Sequence, residues 1–122
     1  MIRLYIGGTG NGQAELAEKE TGKKPVECTP EEALKSPAID SFHLVTRQVL
    51  EQGGSPQEYA RKLLKENPDA VVCSDDIGCG IHPLAKKERI WREETGRALC
   101  ILAAGAGTVT RVIYGIGQRI KG

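Results

Sequence analysis

Three short segments of the chain have the apolar pattern of buried β-strands. Residues 2–6 form an alternating run, residues 70–73 are continuously apolar, and residues 109–114 are mostly β-branched and end in a tyrosine. Helix-forming segments lie between and around these strands, at residues 13–20, a short turn opening at residue 29, and residues 43–52, 56–66 and 83–104. Strands that alternate with helices in this way predict an α/β domain with a mostly parallel sheet.

Turn and capping residues mark where these elements begin and end. Gly22 stops the first long helix, and the two glycines at residues 53–54 stop a later one. The segment Thr-Pro-Glu-Glu at residues 29–32 predicts an N-cap, a proline at the first helical position and a capping box closed by the second glutamate. Residues 38–42 fit either a short strand or the entry into the helix that follows.

The composition limits the function without identifying it. A chain of 122 residues supports one domain, and its net charge of +1 gives no basic surface of the kind that binds nucleic acid. No apolar run is long enough to span a membrane, and the first residues lack the pattern of a signal peptide. The four cysteines form no C-x-x-C pair, as expected of reduced thiols. We therefore expect a cytoplasmic protein without nucleic-acid or membrane partners.

The most informative motif is a glycine-rich loop between the first strand and the first helix. It matches G-x-x-x-x-G-K-[ST] at both glycines, but a glutamine replaces the phosphate-binding lysine and an alanine replaces the magnesium-binding hydroxyl. The backbone N–H groups of such a loop can attract an anion without a lysine. The residues assigned to nucleotide or phosphate binding are Gly7, Gly8, Thr9, Gly10, Asn11, Gly12, Gln13 and Ala14. The alternative is an ordinary glycine-rich turn.

A second candidate loop follows the buried strand at residues 70–73. Its candidate site residues are Asp75, Asp76, Gly78 and Gly80, which come after the carboxyl end of that strand. Open α/β sheets bind their ligands at such ends. Adjacent carboxylates and glycines fit the positioning of a metal ion, a substrate or a water molecule. The alternative is a solvated turn capped by its aspartates.

Several segments match, in order, the motifs of one known family. Residues 7–14 correspond to G-G-x-x-S-G-K-S after a first strand, and residues 75–83 to a loop N-E-V-G-x-G-I-x-P. Arg89 and Gly96 match a helical arginine and glycine, and residues 115–121 match a closing G-I-x-x-x-(I/L)-K. On these motifs the chain resembles a shortened member of the bifunctional adenosylcobinamide kinase/adenosylcobinamide-phosphate guanylyltransferase family of the cobalamin pathway.

The resemblance implies a fold, ligands and an assembly. The fold would be a P-loop NTPase-like, RecA-like three-layer domain with a mostly parallel sheet, reduced in size. The ligands would be GTP or ATP with Mg²⁺ and a corrinoid small molecule, with no tightly bound cofactor, and the assembly a homo-oligomer. Asp40 matches the family's acidic residue at the end of its third strand. It is therefore the candidate for supporting Mg²⁺ and, together with Asp76, for catalysis.

The departures from the family pattern fall on the chemistry. Gln13 and Ala14 replace the P-loop lysine and serine. The two histidines are His43, which we expect on a helix surface, and His82, and neither aligns with the family's histidine that accepts GMP. Guanylyl transfer through a histidine intermediate is therefore not expected, and phosphoryl transfer lacks its cation.

The middle of the chain is also short for the family. Between Gly22 and residues 26–27 there is no room for the family's second strand or for its arginine-rich stretch. We therefore expect catalysis to be reduced or lost, unless Arg111, Arg119 or a partner subunit supplies a cation. The alternative is a non-catalytic interaction or assembly protein that keeps only the fold.

Three other features have ordinary interpretations beside functional ones. Cys73, Cys79 and His82 form C-x5-C-x2-H, which fits Zn²⁺ or a corrinoid cobalt, although a buried cysteine more often only packs. Trp91 fits the core or a subunit contact. Residues 86–89 are predicted to be a solvated helix face rather than a phosphate clamp.

Overall fold

The computed structural model describes residues 1–77 and 85–122 of the chain. Its strands are β1 (Arg3–Gly7), β2 (Val26–Glu27), β3 (Ala38–Asp40), β4 (Val71–Asp75), β5 (Thr108–Ile113) and β6 (Ile116–Lys121). Its helices are α1 (Gln13–Thr21), α2 (Pro30–Ala33), α3 (Phe42–Glu51), α4 (Pro56–Glu66) and α5 (Lys86–Gly105). The strands form one sheet in the order β2-β3-β4-β1-β5-β6.

The sheet is covered by helices on both faces. Neighbouring strands are parallel except β5 and β6, which form an antiparallel hairpin. On one face, Leu16 and Ala17 of α1 pack against Tyr5, Cys73 and Val112. The larger core lies on the other face, where α2 to α5 pack through side chains that include Leu4, Ala33, Ile39, Phe42, Leu63, Val72 and Leu102. The predicted α/β domain with a mostly parallel sheet is therefore confirmed.

The predicted capping interactions form as the sequence indicates. The Thr29 hydroxyl accepts a hydrogen bond from the Glu32 N–H at 3.2 Å, and the Glu32 carboxylate accepts one from the Thr29 N–H at 2.9 Å. Ser55 caps α4 through the N–H of Glu58. Gly22 ends α1 in the left-handed conformation, with φ of 74°. These helix ends depend on neighbouring residues alone, so local sequence signals suffice to place them.

Two boundaries next to the candidate site differ from the prediction. Strand β4 does not end at Cys73 but continues to Asp75, because its last residues pair with the end of β1. Helix α5 begins at Lys86, since its N-cap Ala85 is extended, and the predicted start at Pro83 lies outside the described residues. Asp75 is therefore fixed in the sheet and does not belong to a free loop.

The short middle of the chain holds more structure than expected. Residues 38–42 supply both alternatives, because β3 ends at Asp40 and α3 begins at Phe42. A two-residue strand at Val26–Glu27 pairs with β3, directly after the short stretch from Gly22 in which we expected no room for the family's second strand and arginine-rich segment. The segment therefore completes the sheet with a minimal edge strand.

Strand β6 is the largest departure from the predicted pattern. The predicted final strand stops at Ile113, and a two-residue turn of Tyr114 and Gly115 leads into β6. Both turn residues have positive φ, 50° and 76°, which is the type I′ geometry of tight hairpins. All residues of β6 are exposed, so no buried alternation marks it in the sequence. Its turn also has tyrosine where asparagine is the usual signal.

Candidate functional site

The glycine loop and the end of β4 lie side by side at the carboxyl edge of the sheet. Gly7, the last residue of β1, is paired with Asp75, and the Asp76 N–H donates to the Gly7 carbonyl at 2.8 Å. From β1 the chain passes through α1 to β2, whereas from β4 it passes through α5 to β5 on the other side of β1. Adjacent strands whose connections leave in opposite directions mark the switch point where open α/β sheets bind ligands.

Two glycines give the loop its shape for steric reasons. A Cβ on Gly7 would lie 2.4 Å from the Val112 carbonyl oxygen, so β1 and β5 could not approach as they do. Gly12 is the N-cap of α1 and has φ of 89°, which glycine adopts without strain. The Leu16 N–H donates to the Gly12 carbonyl, and the N–H groups of residues 13–15 therefore have no acceptor within the helix. Such N–H groups attract anions.

The Gln13 side chain fills the position that the motif assigns to a lysine. Its side chain is buried, with 6% of its surface exposed, and its amide nitrogen donates to the Gly7 carbonyl at 2.8 Å and to Asp75 Oδ1 at 3.1 Å. The carbonyls of Gly8 and Ser74 also lie within hydrogen-bond distance of this nitrogen, at 3.2 and 3.3 Å. Two hydrogens thus serve four acceptors. The amide fastens the loop to β4, and its N–H groups are already used by the protein.

Asp75 is the second half of this fastening. Its Oδ1 accepts from Gln13, and its Oδ2 accepts from the Thr9 hydroxyl at 3.0 Å. Its backbone N–H donates to Nδ1 of His43 at 3.2 Å, and its Oδ2 lies 3.6 Å from His43 Nε2. Asp75 therefore joins two residues of the glycine loop, through its carboxylate, to the first turn of α3, through its backbone N–H.

The hydrogen bond that His43 accepts determines which of its ring nitrogens carries the proton. Because Nδ1 accepts from a backbone N–H, the proton of the neutral ring is on Nε2, which faces the Asp75 carboxylate. Burial lowers the pKa of His43, while the carboxylates of Asp75, Asp40 and Glu27 oppose this by raising it. The net direction is downward, so the ring is neutral near pH 7.

The expectation that His43 lies on a helix surface is wrong. Its side chain is buried because α3 begins at Phe42, which turns the second residue of the helix toward β4 and α5. The indole N–H of Trp91 donates to the His43 carbonyl at 2.8 Å, and the hydroxyls of Thr46 and Thr95 share a buried hydrogen bond of 2.6 Å nearby. Thr46, one turn after His43, is the signal in the sequence that this polar side of α3 is buried.

Asp40 lies where the sequence places it, at the end of β3. Its Oδ1 accepts from the N–H of Ser41 at 2.7 Å, and Ser41 has φ of 55°, a left-handed value unusual for a residue other than glycine. Burial raises the pKa of Asp40, the Ser41 N–H lowers it, and Glu27, Asp75 and Glu15 raise it further. Several carboxylates therefore share this edge of the sheet. Among the described residues, no group of three His, Cys, Asp or Glu side chains is placed to hold a metal ion.

The other side of the glycine loop is joined to the β5–β6 hairpin. The carbonyl of Asn11 accepts from the Gly115 N–H at 2.7 Å, and its side-chain oxygen lies 3.3 Å from the Tyr114 N–H, which donates to it. A Cβ on Gly12 would lie 3.4 Å from the Gly115 Cα. That distance is an ordinary van der Waals contact, so it is the φ of 89° that requires glycine at this position. Sequence reasoning missed the contact because β6 was not predicted.

The candidate cations do not bond to the glycine loop in the part of the chain that the structure describes. The Arg119 guanidinium donates to the Thr110 hydroxyl at 3.1 Å, and Arg111 is paired with Gln118 across the hairpin. The predicted solvated face of α5 is confirmed for Lys86, Lys87 and Arg89, which are exposed.

The remaining predicted site residues give a mixed result. Gly78, Gly80, Cys79 and His82 lie outside the described residues. Cys73 is fully buried against α1, where burial raises the pKa of its thiol to about 12. Its Sγ lies 3.8 Å from the Gln13 carbonyl. A thiol that stays protonated in an apolar cluster is typical of packing and not of metal binding.

A cavity of about 650 Å³ lies between α3 and α5 and was not predicted. The guanidinium carbon of Arg47 lies over the Trp91 ring, 4.4 Å from its centroid, and Arg47 forms an ion pair with Glu88. Leu50 and Ile90 form apolar walls of the cavity. Trp91 therefore lies beside this cavity rather than in the core. Its indole N–H links the wall of this cavity to the backbone carbonyl of His43.

Comparison with protein-family models finds no match for this chain, and comparison with curated protein sequences finds none either. In the ranges that the structure covers, no helix combines the length and apolar character that a membrane crossing requires.

Proposed function

We propose that the protein belongs to the corrinoid pathway, resembles adenosylcobinamide kinase/guanylyltransferase, and binds a magnesium nucleotide at its glycine loop with little or no phosphoryl transfer. The observation that carries the proposal is the position of the Gln13 side chain and the hydrogen bonds that it makes. The loop keeps its glycine frame at the switch point between β1 and β4, while the side chain in the lysine position is buried and used to hold the loop. A P-loop NTPase-like, RecA-like three-layer fold is part of the proposal.

The capacity to bind follows from the backbone. The glycine loop leads from a central strand into α1, and the N–H groups of residues 13–15 have no acceptor within the helix. A phosphate placed before these groups would accept their hydrogen bonds and meet the positive end of the helix dipole. Because Gln13 fixes the loop to β4, the site would be formed before the ligand arrives.

The loss of catalysis follows from the charges. Phosphoryl transfer depends on cations that neutralise the charge developing on the transferred group. Removing one electrostatic donor from an active site typically costs about 10²–10³ in rate. Here the lysine and the magnesium-binding hydroxyl are both absent, and neither Arg111 nor Arg119 bonds to the loop within the described residues. Asp40 and Asp76 remain candidate site residues, and no reaction is assigned to them.

The carboxylates also make a prediction about the form of the ligand. The Asp75 carboxylate raises the pKa of Asp40 at the carboxyl edge of the sheet, and both carboxylates would repel a free triphosphate. Mg²⁺ is normally held by one or two carboxylates together with substrate phosphates and water. We therefore expect GTP or ATP to bind as a magnesium complex, and binding to be much weaker when Mg²⁺ is removed.

Calorimetric titration with GTP and ATP, each with and without Mg²⁺, tests the proposal. We expect dissociation constants of roughly 10–100 µM with Mg²⁺. The double variant Gln13→Lys with Ala14→Ser should bind about tenfold or more tightly, because charge-assisted hydrogen bonds are stronger than neutral ones. Glu18→Gln, on an exposed part of α1, changes the charge by the same unit and should leave affinity unchanged. Absence of binding by both the wild type and the double variant would overturn the proposal.

A second candidate function is assembly without a nucleotide. It is favoured by the open edge of the sheet, where Ile116 and Ile120 of β6 are 73% and 62% exposed. Exposed apolar residues on an edge strand are typical of a surface that pairs with another chain. This candidate predicts a homo-oligomer in sedimentation experiments and no effect of nucleotide on it. A cytoplasmic location is part of both proposals.

A further inference from the structure

Tyr114 occupies a position that its own side chain makes unfavourable. It is the first residue of the two-residue turn between β5 and β6, with φ of 50°, where asparagine or glycine is preferred. A bulky residue at positive φ is an outlier that suggests a functional constraint. Its side chain is 86% exposed, so burial in the core does not compensate the strain. The turn therefore holds an aromatic ring in solvent against its conformational preference.

The same turn is attached directly to the glycine loop. Asn11 accepts hydrogen bonds from the N–H groups of both turn residues, at 3.3 Å from Tyr114 and 2.7 Å from Gly115. Gly12, the N-cap of α1, lies against Gly115 so closely that its Cβ would sit 3.4 Å from the Gly115 Cα. Tyr114 is thus held beside the first turn of α1, on the β5 side of the loop. Asp75 and Gln13 occupy the β4 side.

The residues next to the turn extend its apolar character. Ile113 and Ile116 are paired across the hairpin immediately before and after the turn, and they are 42% and 73% exposed. The tip of the hairpin therefore presents one aromatic and two aliphatic side chains close to the N-terminus of α1, whose N–H groups are suited to binding phosphate. A nucleotide has this combination of parts, with an anionic end and a planar ring.

We propose that Tyr114 is the stacking residue for the base of the nucleotide whose phosphates occupy the glycine loop. The inference rests on the proposed function and adds the residue that recognises the ring. Stacking accepts any base with a π-face, so this contact gives affinity and little discrimination between guanine and adenine. The ligand class is a purine nucleoside di- or triphosphate bound with Mg²⁺.

The test compares nucleotides with a ligand that has phosphates and no ring. GTP, ATP and inorganic tripolyphosphate, each with Mg²⁺, are titrated into wild type, Tyr114→Asn and Tyr114→Phe. Asparagine suits the positive φ and removes the ring, whereas phenylalanine keeps it. We expect Tyr114→Asn to weaken GTP and ATP alike by about 5- to 150-fold and to leave tripolyphosphate unchanged. Tyr114→Phe should resemble wild type, as should Val26→Asn on the exposed strand at the opposite edge of the sheet.

The other outcomes overturn the inference in distinguishable ways. If wild type binds GTP and Tyr114→Asn binds it equally well, the stacking role is wrong and the nucleotide function stands. If Tyr114→Asn loses tripolyphosphate as well, the residue acts by shaping the loop. If the variant changes the sedimentation coefficient and not the affinity, the tyrosine belongs to a contact between copies of the chain. If wild type binds none of the three ligands, the proposed function fails together with the inference.

Discussion

The two sides of the glycine loop are built by opposite means. On the β4 side, Gln13, Asp75 and His43 are joined by buried or partly buried hydrogen bonds. On the β5 side, Asn11 holds an exposed and strained turn that carries Tyr114. A polar network that satisfies itself stabilises the loop, whereas a ring held in solvent at positive φ does not. The comparison indicates that the β4 side maintains the shape of the loop, and the β5 side is where we propose that the ring of a nucleotide makes contact.

We expect the largest effect from a substitution that disturbs both sides of the glycine loop at once. Gly7→Ala places a Cβ 2.4 Å from the Val112 carbonyl oxygen and 3.2 Å from Gln13 Cδ. We expect a loss of about 3 kcal/mol in the free energy of unfolding, because β1 and β5 must separate to admit the methyl group. Urea denaturation measures the change. Gly96→Ala in α5, where no atom lies within 4 Å of the added Cβ, should instead stabilise by about 0.5–1 kcal/mol.

The next largest effect removes the centre of the β4 side alone. Asp75→Ala leaves the Gln13 amide, the Thr9 hydroxyl and His43 Nε2 without their carboxylate. We expect the free energy of unfolding to fall by about 2 kcal/mol, because two hydrogen bonds to an ionised carboxylate are lost, although the Gln13 amide keeps the Gly7 carbonyl as an acceptor. Asp69→Ala removes an exposed ion pair with the terminal amino group and should cost less than about 1 kcal/mol. Equal losses in the two variants would contradict the buried network.

A smaller effect depends on pH and isolates His43. Its pKa is lowered in the folded protein, so the unfolded chain takes up a proton first as pH falls through about 6.5. The unfolded state then binds more protons than the native state, and stability decreases from pH 7 toward the lowered pKa. Chemical denaturation at intervals between pH 7.5 and 5 measures this. His43→Gln should flatten the curve over that window, and an unchanged slope would show that the imidazole is not the titrating group.

The smallest effect sharpens the β5 side. Tyr114→Asn should raise the free energy of unfolding by about 0.5–1 kcal/mol, because asparagine tolerates the φ of 50° better than tyrosine does. Tyr114→Phe keeps the strain and should not change it. Thermal unfolding followed by circular dichroism distinguishes the two. A loss of stability in Tyr114→Asn would mean that the ring makes a structural contribution and that the strain argument is wrong.

Much of the fold could be predicted because it depends on local patterns. The apolar runs of β1, β4 and β5, the capping box at Thr29 and the stop at Gly22 each follow from adjacent residues. The position of Asp40 at the end of β3 followed from the family resemblance. Strand β6 could not be predicted because its side chains are all exposed and its turn lacks the asparagine signal.

The candidate site was less predictable because its contacts join distant parts of the chain. The bond between Asp75 and His43 spans 32 positions, and the one between Asn11 and Tyr114 spans 103. Gln13 teaches a different lesson. A comparison of motifs treats it as a missing lysine, but the structure shows a buried amide with a role of its own in holding the loop. A contact between residues far apart in the sequence leaves no local pattern. A residue whose role differs from that of the residue it replaces leaves none either.

The unequal covering of the sheet has a consequence for its dynamics. Among the described residues, α1 is the one helix that packs on its face of the sheet, against a cluster smaller than the core formed by the other helices. Separating α1 from the sheet would expose less apolar surface than separating α4 or α5, so its amides should exchange with deuterium sooner than theirs. Because the glycine loop ends at the first residue of α1, anything bound there would slow that exchange. The amides of α1 are thus a built-in reporter of whether the loop is occupied.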